Sequence, residues 1–162
     1  MVRRLLHNWV RAKEAGAFDT WIANEDRTAK NLLLGEHLWL IDHDDAIPDW
    51  ASPDSDTVNK ILDSIAEGLS EFDRHKLIRD TRKAAEFYSQ LQFDSLRTDV
   101  PLSVFDRGPE QMKVLTDFLS ARVSYVHQLI TARVNPRQLD LLDGAKNAPA
   151  NGPKSDTETS GI

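Results

Sequence analysis

Phe18-Asp19-Thr20-Trp21-Ile22-Ala23-Asn24-Glu25-Asp26-Arg27-Thr28-Ala29-Lys30-Asn31-Leu32-Leu33, followed shortly by Leu38-Trp39-Leu40-Ile41-Asp42-His43, is the stretch on which the reading of the fold turns. Residues 17–23 put Phe18, Trp21 and Ile22 on one helical face. Asn24 to Lys30 is polar and without period, which predicts a loop. The apolar runs Asn31 to Leu34 and His37 to Asp42, separated by Gly35-Glu36, predict a β-hairpin with a tight turn. A hairpin returns the chain, so Asp42 is expected near the loop that carries Asp26 and Asn31.

Upstream, Val2, Leu5, Leu6, Trp9 and Val10 have helical spacing over residues 2–15, and Gly16 is a plausible helix stop. Downstream, residues 42–53 read as a loop containing Pro48 and Pro53. The remainder reads as helix. Asp54 or Ser55 can cap a helix carrying Val58, Ile61, Leu62, Ile65 and Leu69. Ser70 with Asp73 resembles a capping box opening a helix that buries Phe72, Leu77, Ile78, Ala84, Ala85, Tyr88 and Leu91. Residues 93–108 read as irregular. Pro109 suits the first turn of a last helix with Met112, Leu115, Phe118, Leu119, Val123, Val126 and Ile130, which Pro136 ends. From Gly144 on, the composition cannot build a core and predicts a disordered tail over 144–162. The expected fold class is mainly α with a small β-hairpin (α+β), as one domain over 1–143 whose helical bundle spans 54–135.

The bulk composition narrows the function. A chain of 162 residues, 40% hydrophobic and 28% charged, suits one domain with a core. A net charge of -6 argues against a nucleic-acid partner. The absence of cysteine removes thiolate metal sites, cysteine nucleophiles and disulfides. Arg3 and Arg4 precede an apolar patch that His7, Asn8 and Arg11 interrupt, which is too polar for a signal peptide. No apolar run approaches the length of a membrane span. These features together predict a cytoplasmic protein with no membrane partner.

The residue types of the loop and hairpin fit phosphoryl transfer. That reaction needs magnesium to bridge phosphates and a carboxylate to orient the attacking hydroxyl, and little covalent chemistry from the protein. A carboxylate at one end of a loop and a metal-competent oxygen at the other meet this need. Asp26 and Asn31, five positions apart, have that arrangement, and Asp42 adds a hard oxygen donor suited to magnesium. Arg27 is a candidate partner for a nearby acid. Lys30 is a possible phosphate contact beside its plainer reading as a solvated lysine. His43 reads as a structural histidine, and Asp44, Asp45 and Asp49 as a solvated acidic loop. Trp9, Trp21, Trp39 and Trp50 read as core or interface residues.

The run Phe18-Asp19 … Trp21-Ile22 … Asn24 … Asp26-Arg27 … Asn31-Leu32-Leu33 … Ile41-Asp42-His43 resembles the catalytic segment of the HipA-like kinases. It is also similar to the corresponding segment of the phosphatidylinositol 3-/4-kinases, which share that atypical kinase fold. The resemblance is sharp over residues 17–43 and general afterwards. It implies a kinase-like C-terminal lobe in which Asp26 is the catalytic base and Asn31 and Asp42 are magnesium ligands. It further implies that Asp19, Asn24, Arg27 and Thr28 support the loop, and that ATP and Mg2+ are the cofactors.

Two features depart from the family pattern. Thr28 stands where the pattern usually has His, and a threonine lacks an imidazole's charge and reach. No Gly-rich loop or strand-borne lysine precedes Asp26, and Lys13 lies in a helix. The expectation is therefore a lobe lacking its N-terminal partner lobe, with weak or partner-dependent ATP binding. The partners expected are a chain bearing the N-terminal lobe and a protein Ser/Thr substrate. The alternatives are an inactive pseudokinase-type regulatory or interaction module, and a helical interaction protein with a chance motif.

Overall fold

A computed structural model of the chain describes residues 6–35, 38–44, 46–93 and 108–135. After a helical turn at residues 6–8 comes helix α1 (Ala12–Trp21), a 3-10 turn (Ala29–Asn31) and strands β1 (Leu32–Leu34) and β2 (Leu38–Leu40). Then come α2 (Lys60–Ala66), α3 (Glu71–Ala85), a second 3-10 turn (Glu86–Gln90) and α4 (Gly108–Val134). The described part is mainly helical with one two-stranded antiparallel sheet, the α+β class expected. Residues 1–5 with the start of the expected first helix, Glu36 and His37 of the expected hairpin, Asp45, residues 94–107 of the expected irregular stretch, Pro136 and the expected tail over 144–162 lie outside the described residues.

Helix α1 is the hub, and α2, α3 and α4 all pack against it. The core it shares with them includes Ala17, Trp21, Leu62, Ile78, Val126 and Ile130. The expected stop at Gly16 is replaced by a continuous helix. A Cβ at Gly16 would lie 2.5 Å from Leu62 Cδ2, so the missing side chain is what lets α2 approach. α1 ends further on, where Ala23 takes φ 52. There Asn24 N–H bonds the Asp19 carbonyl at 3.0 Å and Ala23 N–H bonds that of Thr20 at 3.4 Å, the paired bonds of a Schellman ending.

The cap of α2 also differs from expectation. It is Asn59, whose Oδ1 accepts from Leu62 N–H at 2.9 Å, while Ser52, Asp54 and Ser55 bond one another in a separate turn. Arg122 of α4 holds that turn's carbonyls away from a helix. Val58 is consequently 41% exposed. Ser70 caps α3 as expected and accepts from Asp73 N–H at 3.2 Å. Phe72, expected inside, is 78% exposed. It precedes the buried Leu77 by five residues and so lies about 140° around the helix from it.

Gly108 opens α4 at φ 57, with Pro109 in its first turn. Met112, Leu119, Val126 and Ile130 are buried, and Leu115, Phe118 and Val123 pack partly buried against the core. Arg74 of α3 reaches the carbonyl of Val134 at 2.9 Å and satisfies one orphan acceptor at the end of α4. Among the described residues, no helix is long and apolar enough to cross a membrane.

Candidate functional site

The Schellman ending of α1 delivers Asn24 into the loop at 1% exposure. Its Oδ1 accepts from Asp26 N–H at 3.0 Å, an Asx-type bond that sets the turn from which the Asp26 side chain leaves. Arg27 then points inward. Its guanidinium grips Asp19 of α1 through two bonds, Nε to Oδ2 at 3.0 Å and Nη2 to Oδ1 at 2.8 Å. Its Nη1 donates to the carbonyls of Ile41 at 2.8 Å and Asn31 at 3.4 Å. Ile41 N–H bonds the same Asn31 carbonyl at 3.1 Å. One buried arginine thus joins the end of α1, the start of β1 and the end of β2.

Both side chains of this pair are almost fully buried, at 1% and 0%. Burial pushes the Asp19 carboxyl above its ordinary range, and the two bonds and charge of Arg27 oppose that shift. The bidentate fork requires acceptor oxygens on Asp19, so the pair stands as an ion pair. His43 follows Asp42 and packs edge-on against Phe18, with ring centroids 5.6 Å apart. Burial, and then the nearby Arg27 charge, lower the His43 pKa below its ordinary value.

Asn31 is 5% exposed and its amide is fixed from both ends. Its Nδ2 donates to the Asp26 carbonyl at 3.1 Å, and its Oδ1 accepts from the Thr28 hydroxyl at 2.8 Å. A carbonyl oxygen has two lone pairs, so Oδ1 keeps one for a cation. Asp26 itself faces outward with its side chain 51% exposed. Asp42 is exposed too and turns the chain at φ 57, a region Asp enters more readily than most residues. Lys30 is exposed, and Asp44 and Asp49 are solvated.

Asn31 therefore links the backbone at Asp26 to the backbone beside Asp42: its side chain bonds the Asp26 carbonyl, and its own carbonyl holds the residue before Asp42. The side-chain oxygens these residues carry, two carboxylates and an amide, are of the hard type that suits magnesium carried on phosphates. Among the described residues, no three His, Cys, Asp or Glu side chains gather as a metal cage. Magnesium held mainly by phosphates and water needs only one or two carboxylates.

Sequence reasoning missed the wall beside the loop, made by residues 57–60. Glu25 Oε1 accepts from Val58 N–H at 3.1 Å. Lys60 Nζ lies 3.6 Å from Asp26 Oδ1. Asn59, 2% exposed, donates to the Gly16 carbonyl at 2.7 Å and the Thr20 hydroxyl at 2.8 Å, which locks this wall to α1. These contacts span 39 to 43 residues, and no local pattern announces them.

Arg122 was missed as well. It is 0% exposed. It donates to the carbonyls of Thr20 at 2.7 Å, Pro53 at 3.0 Å and Ser55 at 3.0 Å, and to the Thr57 hydroxyl at 3.2 Å. Burial pushes its pKa down to about 10, which leaves it charged at neutral pH.

An apolar groove of about 830 Å3 is lined by Trp9, Phe18, Trp21, Leu40, Tyr88 and Leu91, with charged neighbours, and none of Asp26, Asn31 or Asp42 borders it. On the hairpin, the register partners Leu33 and Trp39 are 51% and 62% exposed. Leu32 packs against the core. Compared with known proteins, the chain matches no family model, no curated protein and no solved structure.

Proposed function

We propose that this chain is the catalytic-lobe portion of an ATP- and magnesium-dependent, HipA-like phosphotransferase, acting in the cytoplasm on a protein Ser/Thr hydroxyl. One observation carries the reading. The loop is rigid behind, through the buried Arg27–Asp19 pair, and open in front, where the Asp26 carboxylate is half exposed. Phosphoryl transfer needs that pre-organisation.

In this reading Asp26 orients the acceptor hydroxyl and takes its proton. Asn31 and Asp42 would hold the magnesium, which supplies charge neutralisation on the phosphates. Asn31 is positioned for this by Thr28 and by the Asp26 carbonyl, and Lys30 is available for a phosphate oxygen. A nucleotide clamp from a partner chain completes the site. The exposed Leu33 and Trp39 on the hairpin suit an apolar docking contact for that partner.

The test uses manganese as a paramagnetic substitute for magnesium, titrated into the full chain and followed by amide NMR. Broadening centred on Asp26, Asn31 and Asp42, weakened in Asn31→Ala and reversed by excess magnesium, is the expected result. Diffuse broadening over the acidic residues 44–49 alone would sink the proposal.

The Thr28 bond to Asn31 Oδ1 favours a second reading, an inactive regulatory module of the same ancestry. It predicts that Asp26→Ala leaves the protein's effect on its partner unchanged.

A further inference from the structure

Lys60 has no evident structural task. Its contact with Asp26 is 3.6 Å long and joins two half-exposed side chains, 44% and 51%. Such a pair stabilises a fold by well under about 1 kcal/mol. Yet its position is set with care. The preceding residue, Asn59, is buried and bonds Gly16, Thr20 and Leu62. Glu25, next to Asp26, bonds Val58. These contacts bring the start of α2 against the loop and leave a flexible cation beside its outward-facing carboxylate.

The loop itself supplies one exposed cation, Lys30, four residues beyond Asp26. Thr28 is neutral, and its hydroxyl is committed to Asn31. Arg27 points into the core toward Asp19. A dianionic phosphoryl group arriving at Asp26 would meet a like charge, and Lys60, whose Nζ lies 3.6 Å from that carboxylate, offsets it.

We propose that Lys60 binds the phosphoryl group being transferred, a role that rests on the phosphotransferase reading above. The acceptor oxygen bonds the γ-phosphorus while the bond from that phosphorus to the β,γ-bridging oxygen breaks. The departing ADP takes the bonding electron pair, and the acceptor proton passes to Asp26. Throughout, the Lys60 ammonium donates to the non-bridging γ-oxygens. Without nucleotide it rests on Asp26, and its four-carbon stem lets it swing from carboxylate to phosphate.

The probe is magnesium tripolyphosphate, titrated into the full chain by amide NMR, beside the manganese measurement. Lys60→Met is expected to weaken tripolyphosphate binding about tenfold and to leave manganese broadening at Asp26, Asn31 and Asp42 unchanged. Lys60→Arg should restore most of the binding. Asp26→Asn should bind tripolyphosphate at least as tightly as the parent, because Lys60 is released, an effect that a merely structural contact would not give. Unaltered tripolyphosphate affinity in Lys60→Met, with manganese broadening intact, overturns this role and leaves the phosphotransferase reading standing. Loss of site-centred manganese broadening in the parent chain overturns both.

Discussion

Among the described residues two arginines are buried, and they are held in different ways. Arg27 meets a carboxylate, in a two-bonded pair with Asp19. Arg122 has only carbonyls and one hydroxyl within hydrogen-bond distance. The first clamp neutralises its own charge and fixes the loop behind Asp26. The second inserts a net cation into the interior and is held by dipoles, with Phe118 below it at 5.7 Å. A paired charge fastens one point firmly. A charge spread over several carbonyls instead organises a length of chain that has no regular structure of its own, here the turn at residues 52–57.

The strongest test of this contrast is Arg122→Met. It removes every guanidinium bond to the turn at once and strands its carbonyl acceptors, so a loss on the order of 5 kcal/mol in urea unfolding is expected. A loss under about 1 kcal/mol would mean that water replaces the guanidinium and the clamp is dispensable.

Asp19→Leu is the next largest. It leaves Arg27 charged and unpaired, which costs about 3 to 4 kcal/mol. Combining it with Arg27→Met should recover a good part of the loss, since the stranded charge goes too. The thermodynamic cycle over the four proteins measures that coupling. No such rescue exists for Arg122, because no single partner can be removed with it. Equal, additive losses in the Asp19 and Arg27 variants would erase the distinction between the two clamps.

The smallest effect belongs to a surface pair. Lys13 of α1 bonds Asp80 of α3 at 2.6 Å, with side chains 40% and 24% exposed. Its bonds with Lys13, and then with Arg79, lower the Asp80 pKa below its ordinary 3.8. The native state therefore releases this proton more readily than the unfolded chain. The contribution is complete above pH 3.8 and is lost as pH falls through the lowered native value. Asp80→Asn should cost only about 0.5 kcal/mol at neutral pH, after solvent screening, and should make the acid limb of the stability curve shallower. A loss comparable to that of Asp19→Leu would show that burial is not what separates these pairs.

The features legible in the sequence are those with a local cause. Periodicity exposed the hairpin, the polar loop and α3, and Ser70 announced its own cap. Gly16 misled because a glycine serves equally as a helix end and as a point of close approach. The distinction depends on Leu62, 46 positions away, whose Cδ2 would collide with a Cβ. Phe72 misled because a solvent-facing aromatic looks like a core residue until the helix phase is known. In the candidate site, the order Asp26, Asn31, Asp42 was visible because loop and hairpin are contiguous. Lys60 and Arg122 were not, since each acquires its meaning from residues more than 30 positions away.

The reach of Arg122 also orders events in time. Its partners lie 102 residues away at Thr20 and 65 to 70 away in the turn. During synthesis, α1 and the hairpin leave the ribosome long before Arg122 does, and the segment at 52–57 must wait for α4 before its carbonyls find their donor. A latch closed last is also the one whose loss is felt on opening. Arg122→Met should therefore show most of its effect as faster unfolding, with the refolding rate little changed.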